Sequence, residues 1–344
     1  MVAKSITYNT DWAVSGHAWA VNHLARSLSH DRVRHAYLIT GPAGIGKTTL
    51  ARAFAQALNC LSDETRPCGK CRACTLIAHD SHADVQIVQA TGTTLKIDQV
   101  RDLQHTLSLR PVEGRYRVVI LRRFDEATPQ AMDALLKTLE EPAPYVVLLL
   151  TADSGDGLLA TIRSRCQPVH LRLLPASTIR RTLETQFDVK GEQAALLAQL
   201  SAGRTGWAIR AAADESLLAQ RTELLTLLEQ AISQSRIGRF ALAESLSKDS
   251  KDKELLHTAL SLWQGYWRDV LLVMHSATTP ITNRDHRHAI DQLAVGIGVE
   301  DVQRALTATQ RTDRYLDENT NVRLALEVLM LDLPRMHLIP APPG

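Results

Sequence analysis

Eight consecutive residues, Gly41-Pro42-Ala43-Gly44-Ile45-Gly46-Lys47-Thr48, carry the densest chemistry in this 344-residue chain. Their types and spacing match a loop that wraps phosphate. Glycines let backbone N–H groups turn inward around phosphate oxygens, a lysine reaches the β- and γ-phosphates, and a threonine hydroxyl ligates magnesium. The residues that would hold a nucleotide here are Gly41, Gly44, Gly46, Lys47, Thr48 and Thr49. Taken alone, the pattern also fits an ordinary glycine-rich turn, so its flanks must decide. A second group, Cys60, Cys68, Cys71 and Cys74, gathers four thiols in one short stretch. That number and spacing suit a closed tetrahedral zinc site, whose four sulfur ligands leave no position for a catalytic water. The turn Pro67-Cys68-Gly69-Lys70 bends the backbone around such a metal; His79 and His82 follow closely and could substitute as ligands, but His82-Ala83-Asp84 lies against the next strand. The solitary Cys166 reads as a packed small apolar residue rather than a reactive thiol.

The elements that must position these groups are legible from hydrophobic periodicity. Ala36–Thr40, Val85–Gln89, Val118–Leu121 and Val146–Ala152 are nearly continuous apolar runs, as expected of a parallel sheet covered on both faces. Between them, Thr48–Leu58 and Gln130–Glu141 have helical spacing, and Pro142 stops the second. The phosphate loop thus falls between a strand and a helix start, where the helix N-terminus favours an anion. After Pro175 the strand signal ends. Thr178–Thr185 and Glu192–Ala202 form a small helical unit closed by the Gly203-Arg204-Thr205-Gly206 turn. From Glu215 onward come amphipathic helices, including Lys253–His275, Val299–Leu316 and Val322–Leu331, before a proline-rich end at Ile339–Gly344. Trp263, Tyr266 and Trp267 fall at core spacing on one of these helices, which favours packing inside over stacking on DNA bases.

Composition narrows the function classes. With 39 basic and 37 acidic residues the chain is nearly neutral, so it does not coat nucleic acid by bulk charge. It lacks the charged-then-apolar pattern of a signal peptide at its start, and the apolar run Tyr145–Leu150 is too short to cross a bilayer. Clustered cysteines suit a reducing compartment. The expectation is a cytoplasmic protein with no membrane role.

Three further segments sharpen the reading. They are Asp133-Ala134-Leu135-Leu136-Lys137-Thr138-Leu139-Glu140-Glu141-Pro142, Ser164-Arg165-Cys166, and Asn319-x-Asn321-x-Arg323-Leu324-Ala325-Leu326-Glu327. With the phosphate loop and the cysteines, this set resembles the bacterial clamp-loader subunits of the AAA+ class over nearly the whole chain. The resemblance implies an α/β fold: an AAA+ P-loop parallel-sheet domain with an inserted zinc module at 1–174, a small helical lid domain at 175–213, and an all-α collar domain at 214–344. It further implies a pentameric ring, with tau/gamma and delta subunits as partners, that opens a sliding clamp and places it on primer-template DNA for DNA polymerase III. In such a ring Arg165 would act in trans, as an arginine finger on ATP held by a neighbour. The apolar helix faces of the collar would bury against neighbouring chains.

Two departures from the pattern separate this chain from the motors of that family. A motor follows its apolar strand directly with an acidic pair that holds magnesium and polarises water. Here Val118-Val119-Ile120-Leu121 runs into Arg122-Arg123, and two cations cannot bind magnesium. Asp125-Glu126 lies past the strand end, where reaching the metal calls for a bulge. The lid position at which a motor carries a phosphate-sensing arginine falls on Gly206. The expectation is therefore a non-motor subunit that donates Arg165, has a structural zinc, and binds ATP or ADP without turning it over. The alternative is an ATP-hydrolysing, tau/gamma-like motor.

Overall fold

The apolar runs assemble into a parallel sheet in the computed structural model, which describes residues 7, 8, 12, 14–90, 94–248, 253–317 and 320–337. The chain divides into two compact units. One comprises Met1–Ala194 with Gly203–Ala208, the other Ala195–Ala202 with Ile209–Gly344.

The first unit contains β1 (Thr7–Tyr8), α1 (Ala18–Ser29), β2 (Ala36–Thr40), α2 (Lys47–Asn59), β3 (Thr65–Arg66), α3 (Arg72–Ala78), β4 (Val85–Val88) and α4 (Ile97–Leu107). It continues with β5 (Arg117–Leu121), α5 (Pro129–Glu140), β6 (Val146–Ala152), α6 (Ala160–Arg165), β7 (Gln167–His170) and α7 (Ala176–Gln186). The main sheet has the order β4-β5-β6-β2-β7, and every pairing in it is parallel. Successive residues of the inner strands feed opposite cores. Tyr37, Ile39, Val118, Ile120, Val147 and Leu149 enter the layer containing α1 and α2, and their neighbours in sequence enter the layer containing α4 and α5. Burial on both faces explains why these strands read as unbroken apolar runs. Strand β7 escaped the sequence reading because Gln167-Pro168-Val169-His170 is half polar and holds a proline. It lies at the edge beside β2, where a missing N–H costs no ladder bond.

One buried carboxylate ties this sheet to its loops. Asp84, just before β4, accepts backbone N–H bonds from Val112, Glu113 and Gly114 at 2.7–2.8 Å and pairs with Arg117 at 3.2 Å. Burial alone would raise its pKa, but these three donors and the Arg117 guanidinium outweigh burial and hold it below the ordinary value of 3.8. A depressed carboxylate stabilises the fold fully above its unfolded value and loses that contribution as pH falls through its folded value. We expect Asp84→Asn to cost about 3 kcal/mol, because it leaves the buried Arg117 without a counter-charge. Urea unfolding checks this at neutral pH. The gap between wild type and variant should close as pH drops below 3.8, and a gap that persists in acid would refute the assignment.

Helices α8 (Gly191–Leu200) and α9 (Thr205–Ala213) each contribute residues to both units. The second unit is completed by α10 (Ser216–Ser233), α11 (Arg236–Lys248), α12 (Lys253–Met274), α13 (Arg287–Gly296), α14 (Val299–Asp317) and α15 (Val322–Asp332). Trp263, Tyr266 and Trp267 lie in its core, as their spacing predicts, and Trp263 Nε1 donates to Leu224 O at 2.8 Å. Arg239 is buried without a carboxylate partner among the described residues. Its guanidinium donates to the carbonyls of Ala231, Ile232, Met330, Leu333 and Pro334, gathering the C-terminal ends of α10 and α15. Helix C-termini present unpaired carbonyls with a negative dipole end, so a cation can satisfy several at once. Asn321 caps α15, its Oδ1 accepting from Leu324 N at 3.2 Å, whereas Asn319 and the proline-rich end lie outside the described residues. No helix among the described residues is long and apolar enough to cross a membrane.

Candidate nucleotide and metal sites

The carboxyl ends of β2, β5 and β6 converge on one edge of the sheet, where open parallel sheets place their ligand crevices. The phosphate loop leaves β2 there. Gly41, Gly44 and Gly46 adopt φ of 147°, 76° and 113°, conformations that suit glycine and let the chain curl into the start of α2. Lys47 is the first residue of α2 and is buried at 8% exposure. Its ammonium donates to Gly41 O, to Pro42 O at 3.2 Å, and to Asp153 Oδ1 at 2.5 Å. The loop is also held from outside. His17, whose pKa is lowered by burial, donates from Nε2 to Ile45 O at 3.3 Å. Trp207 N–H donates to Gly44 O at 2.9 Å. A Cβ on the neighbouring Gly206 would stand 2.8 Å from Gly44 O, so in this arrangement the position that matches a motor's sensing arginine has no room for a side chain.

The residues after β5 behave as their charge dictates. Arg122 Nη1 donates to Gln89 Oε1 at 2.8 Å, and Arg123 forms an ion pair with Glu126. Asp125 does not need a bulge to return to the crevice. Arg123 takes a left-handed conformation with φ of 49°, and a one-turn 3₁₀ helix, Phe124–Glu126, swings Asp125 back until its Oδ2 accepts from Asp153 N at 2.7 Å. Burial, with the nearby Asp153 charge, raises the pKa of Asp125 despite that hydrogen bond and Lys47. Asp153 itself was missed from sequence. The signal was its place, an acidic residue directly after a central strand whose register sets Ala152 opposite Thr40.

Arg165 is the last residue of α6, its side chain about one third exposed at 35%. It donates to Thr161 O at 3.0 Å and to Glu140 Oε1 at 2.8 Å, which joins two of the sequence segments in space. Cys166 beside it is buried, which pushes its thiol up to about 12 and leaves it unreactive.

The four clustered cysteines meet as their spacing predicts. Their sulfurs all lie within 4.8 Å of one another, with Cys60 Sγ and Cys71 Sγ 3.9 Å apart. A tetrahedron with Zn–S bonds of about 2.3 Å sets its sulfurs about 3.8 Å apart, so the donor set fits zinc. Backbone N–H groups of Cys68, Cys71 and Cys74 point at the sulfurs of Cys60, Cys68 and Cys71, as thiolate acceptors would need. Neither nearby histidine joins them. His79 Nδ1 is bonded to Thr75 O, and His82 Nδ1 accepts from Asp84 N.

Residues 16–175 match the family model described as DNA polymerase III, delta subunit, and residues 215–334 match that described as DNA polymerase III, delta subunit, C terminal. The chain is 29% identical to DNA polymerase III subunit delta' of Bacillus subtilis (strain 168), over 90% of this chain and 94% of that one. It is 32% identical to subunit delta' of Haemophilus influenzae over 59% of this chain and 62% of the other. It is 37% identical to subunit tau/gamma of Haemophilus influenzae over 54% of this chain, but the match spans only 27% of that longer relative.

Proposed function

Because this chain belongs to the family of DNA polymerase III clamp-loader subunits, we propose that it is the delta-prime-like, non-motor member of a cytoplasmic clamp loader built on the AAA+ plan. It stands in a ring with tau/gamma and delta subunits, and the assembly loads a sliding clamp onto primer-template DNA. Its own part is to donate Arg165 in trans to ATP bound by a neighbour. A phosphoryl group in transfer spreads negative charge over its oxygens, and a guanidinium presents forked donors to that charge. Cys60, Cys68, Cys71 and Cys74 hold a structural zinc that shapes the loop after α2. Gly41–Thr48 keeps the form of a nucleotide cradle, in which Lys47 and the backbone would hold the phosphates and Thr48 would face magnesium.

The observation that carries the non-motor reading is the pair Arg122-Arg123 at the end of β5, engaged with Gln89 and Glu126. A motor requires carboxylates at that strand end to hold magnesium. One observation favours the tau/gamma-like alternative, namely the return of Asp125 to the crevice beside Asp153. Magnesium-dependent ATP turnover by the purified chain separates the two, with Lys47→Ala as background. We expect turnover indistinguishable from that background. Turnover clearly above it would sink the non-motor reading and assign the displaced acidic role to Asp125.

A further inference from the structure

We infer that Asp153 decides what the phosphate loop accepts. Its carboxylate stands on Lys47 where a phosphate oxygen would stand, so a nucleoside polyphosphate enters only by displacing it. The inference rests on reading Gly41–Thr48 as a nucleotide site and concerns the regulation of that site.

A lysine ammonium has three N–H groups and no acceptor. All three of those on Lys47 have acceptors here: the carbonyls of Gly41 and Pro42 and the carboxylate of Asp153. A phosphate can therefore bind Lys47 only if one acceptor leaves. The two carbonyls belong to the loop itself, whereas Asp153 is a separate, half-exposed side chain that can rotate into solvent. Asp153 is also the acceptor whose charge an incoming polyanion would most oppose.

Its placement is built into the fold. Asp153 follows Ala152, the last residue of β6, and Ala152 lies opposite Thr40 in register and accepts a hydrogen bond from Gly41 N at 3.2 Å. The same pairing that positions the loop thus brings the carboxylate to it. Asp125 then holds Asp153 from the other side through the 2.7 Å bond to its backbone N–H. Trp207 occupies Gly44 O as well, so the loop keeps a closed, internally satisfied form. This lets a subunit retain the shape of the cradle, and the surfaces around it, whether or not nucleotide is present.

The test is calorimetric titration of the full-length chain with ATP, ADP and AMP at fixed magnesium and ionic strength, comparing wild type, Asp153→Asn and Lys47→Ala. The asparagine keeps size and removes charge; because it also takes the counter-charge from the buried Lys47, the unfolding midpoint should fall, and the titrations are run well below the midpoint of every variant. Removing one negative charge from the phosphate position should tighten ATP binding roughly tenfold, ADP less, and AMP not at all. Equal gains for all three would point to a loosened loop and overturn the inference, as would no gain for ATP. ATP binding that is indifferent to Lys47→Ala would remove the site reading underneath it. Hydrolysis followed in the same samples bears on the non-motor reading separately, since turnover would overturn that reading and leave the affinity order intact.

Discussion

With Arg165 acting in trans as proposed, its replacement by alanine is expected to leave the chain folded and assembled while turnover of a neighbour's ATP falls about 10³-fold. The side chain ends α6 and is partly exposed, so its loss opens no cavity. In the isolated chain it rests on Glu140 and on the Thr161 carbonyl. Both partners of the Arg165–Glu140 pair are partly exposed, so the pair is weak and a neighbour's phosphate can compete for the guanidinium. Single-turnover phosphate release by the reconstituted assembly is the measurement, with clamp loading onto primed DNA as the second readout. Arg165→Lys should recover little, because an ammonium keeps the charge but loses the planar fork. Unchanged release in Arg165→Ala would end the case for a finger supplied in trans.

The second large effect concerns the metal. We expect one zinc per purified chain by atomic absorption, and Cys71→Ser to lose it. Binding to four thiolates contributes on the order of 10 kcal/mol at neutral pH, much of it expressed as order in the segment that supplies the ligands. Here that segment leaves α2 at Cys60 and returns through α3, with Cys60 and Cys74 buried and Cys68 and Cys71 partly exposed. Burial first, and then the neighbouring cysteines, raise the thiols of Cys60 and Cys74, so without a cation they are poor thiolates. The consequence of metal loss should be local. Asn59, at the end of α2, makes two 2.9 Å bonds to the Tyr116 backbone, and Arg52 grips Asp80 through two more. Hydrogen exchange should therefore show protection lost across residues 60–78 and retained in β2, β5 and β6. A metal-free chain with full protection in that segment would overturn a structural role for zinc.

How much of this was legible beforehand depends on how local each cause is. A strand buried on both faces writes its own signature, and Ala36–Thr40 and Val146–Ala152 have the same bounds in sequence and structure. Thr48–Leu58 and Gln130–Glu141 shift by a residue at their ends, where caps and not periodicity set the boundary. The aromatic trio of α12 entered the core because residues three and four apart on a helix share a face. Polar edge strand β7 carried no such signature.

The site divides along the same line. The sequence by itself determined the phosphate loop, the four cysteines, the position of Arg165 and the arginine pair that stands directly after β5 in place of an acidic one, because each is a matter of residue type at fixed spacing along the chain. Only the tertiary structure decided what those groups touch. It brought Asp153 to Lys47 across more than a hundred residues, returned Asp125 through a left-handed turn at Arg123, seated Gly206 against Gly44, and rested Arg165 on Glu140. Strand register and helix packing set these contacts, and a one-residue change in either would redirect every side chain involved.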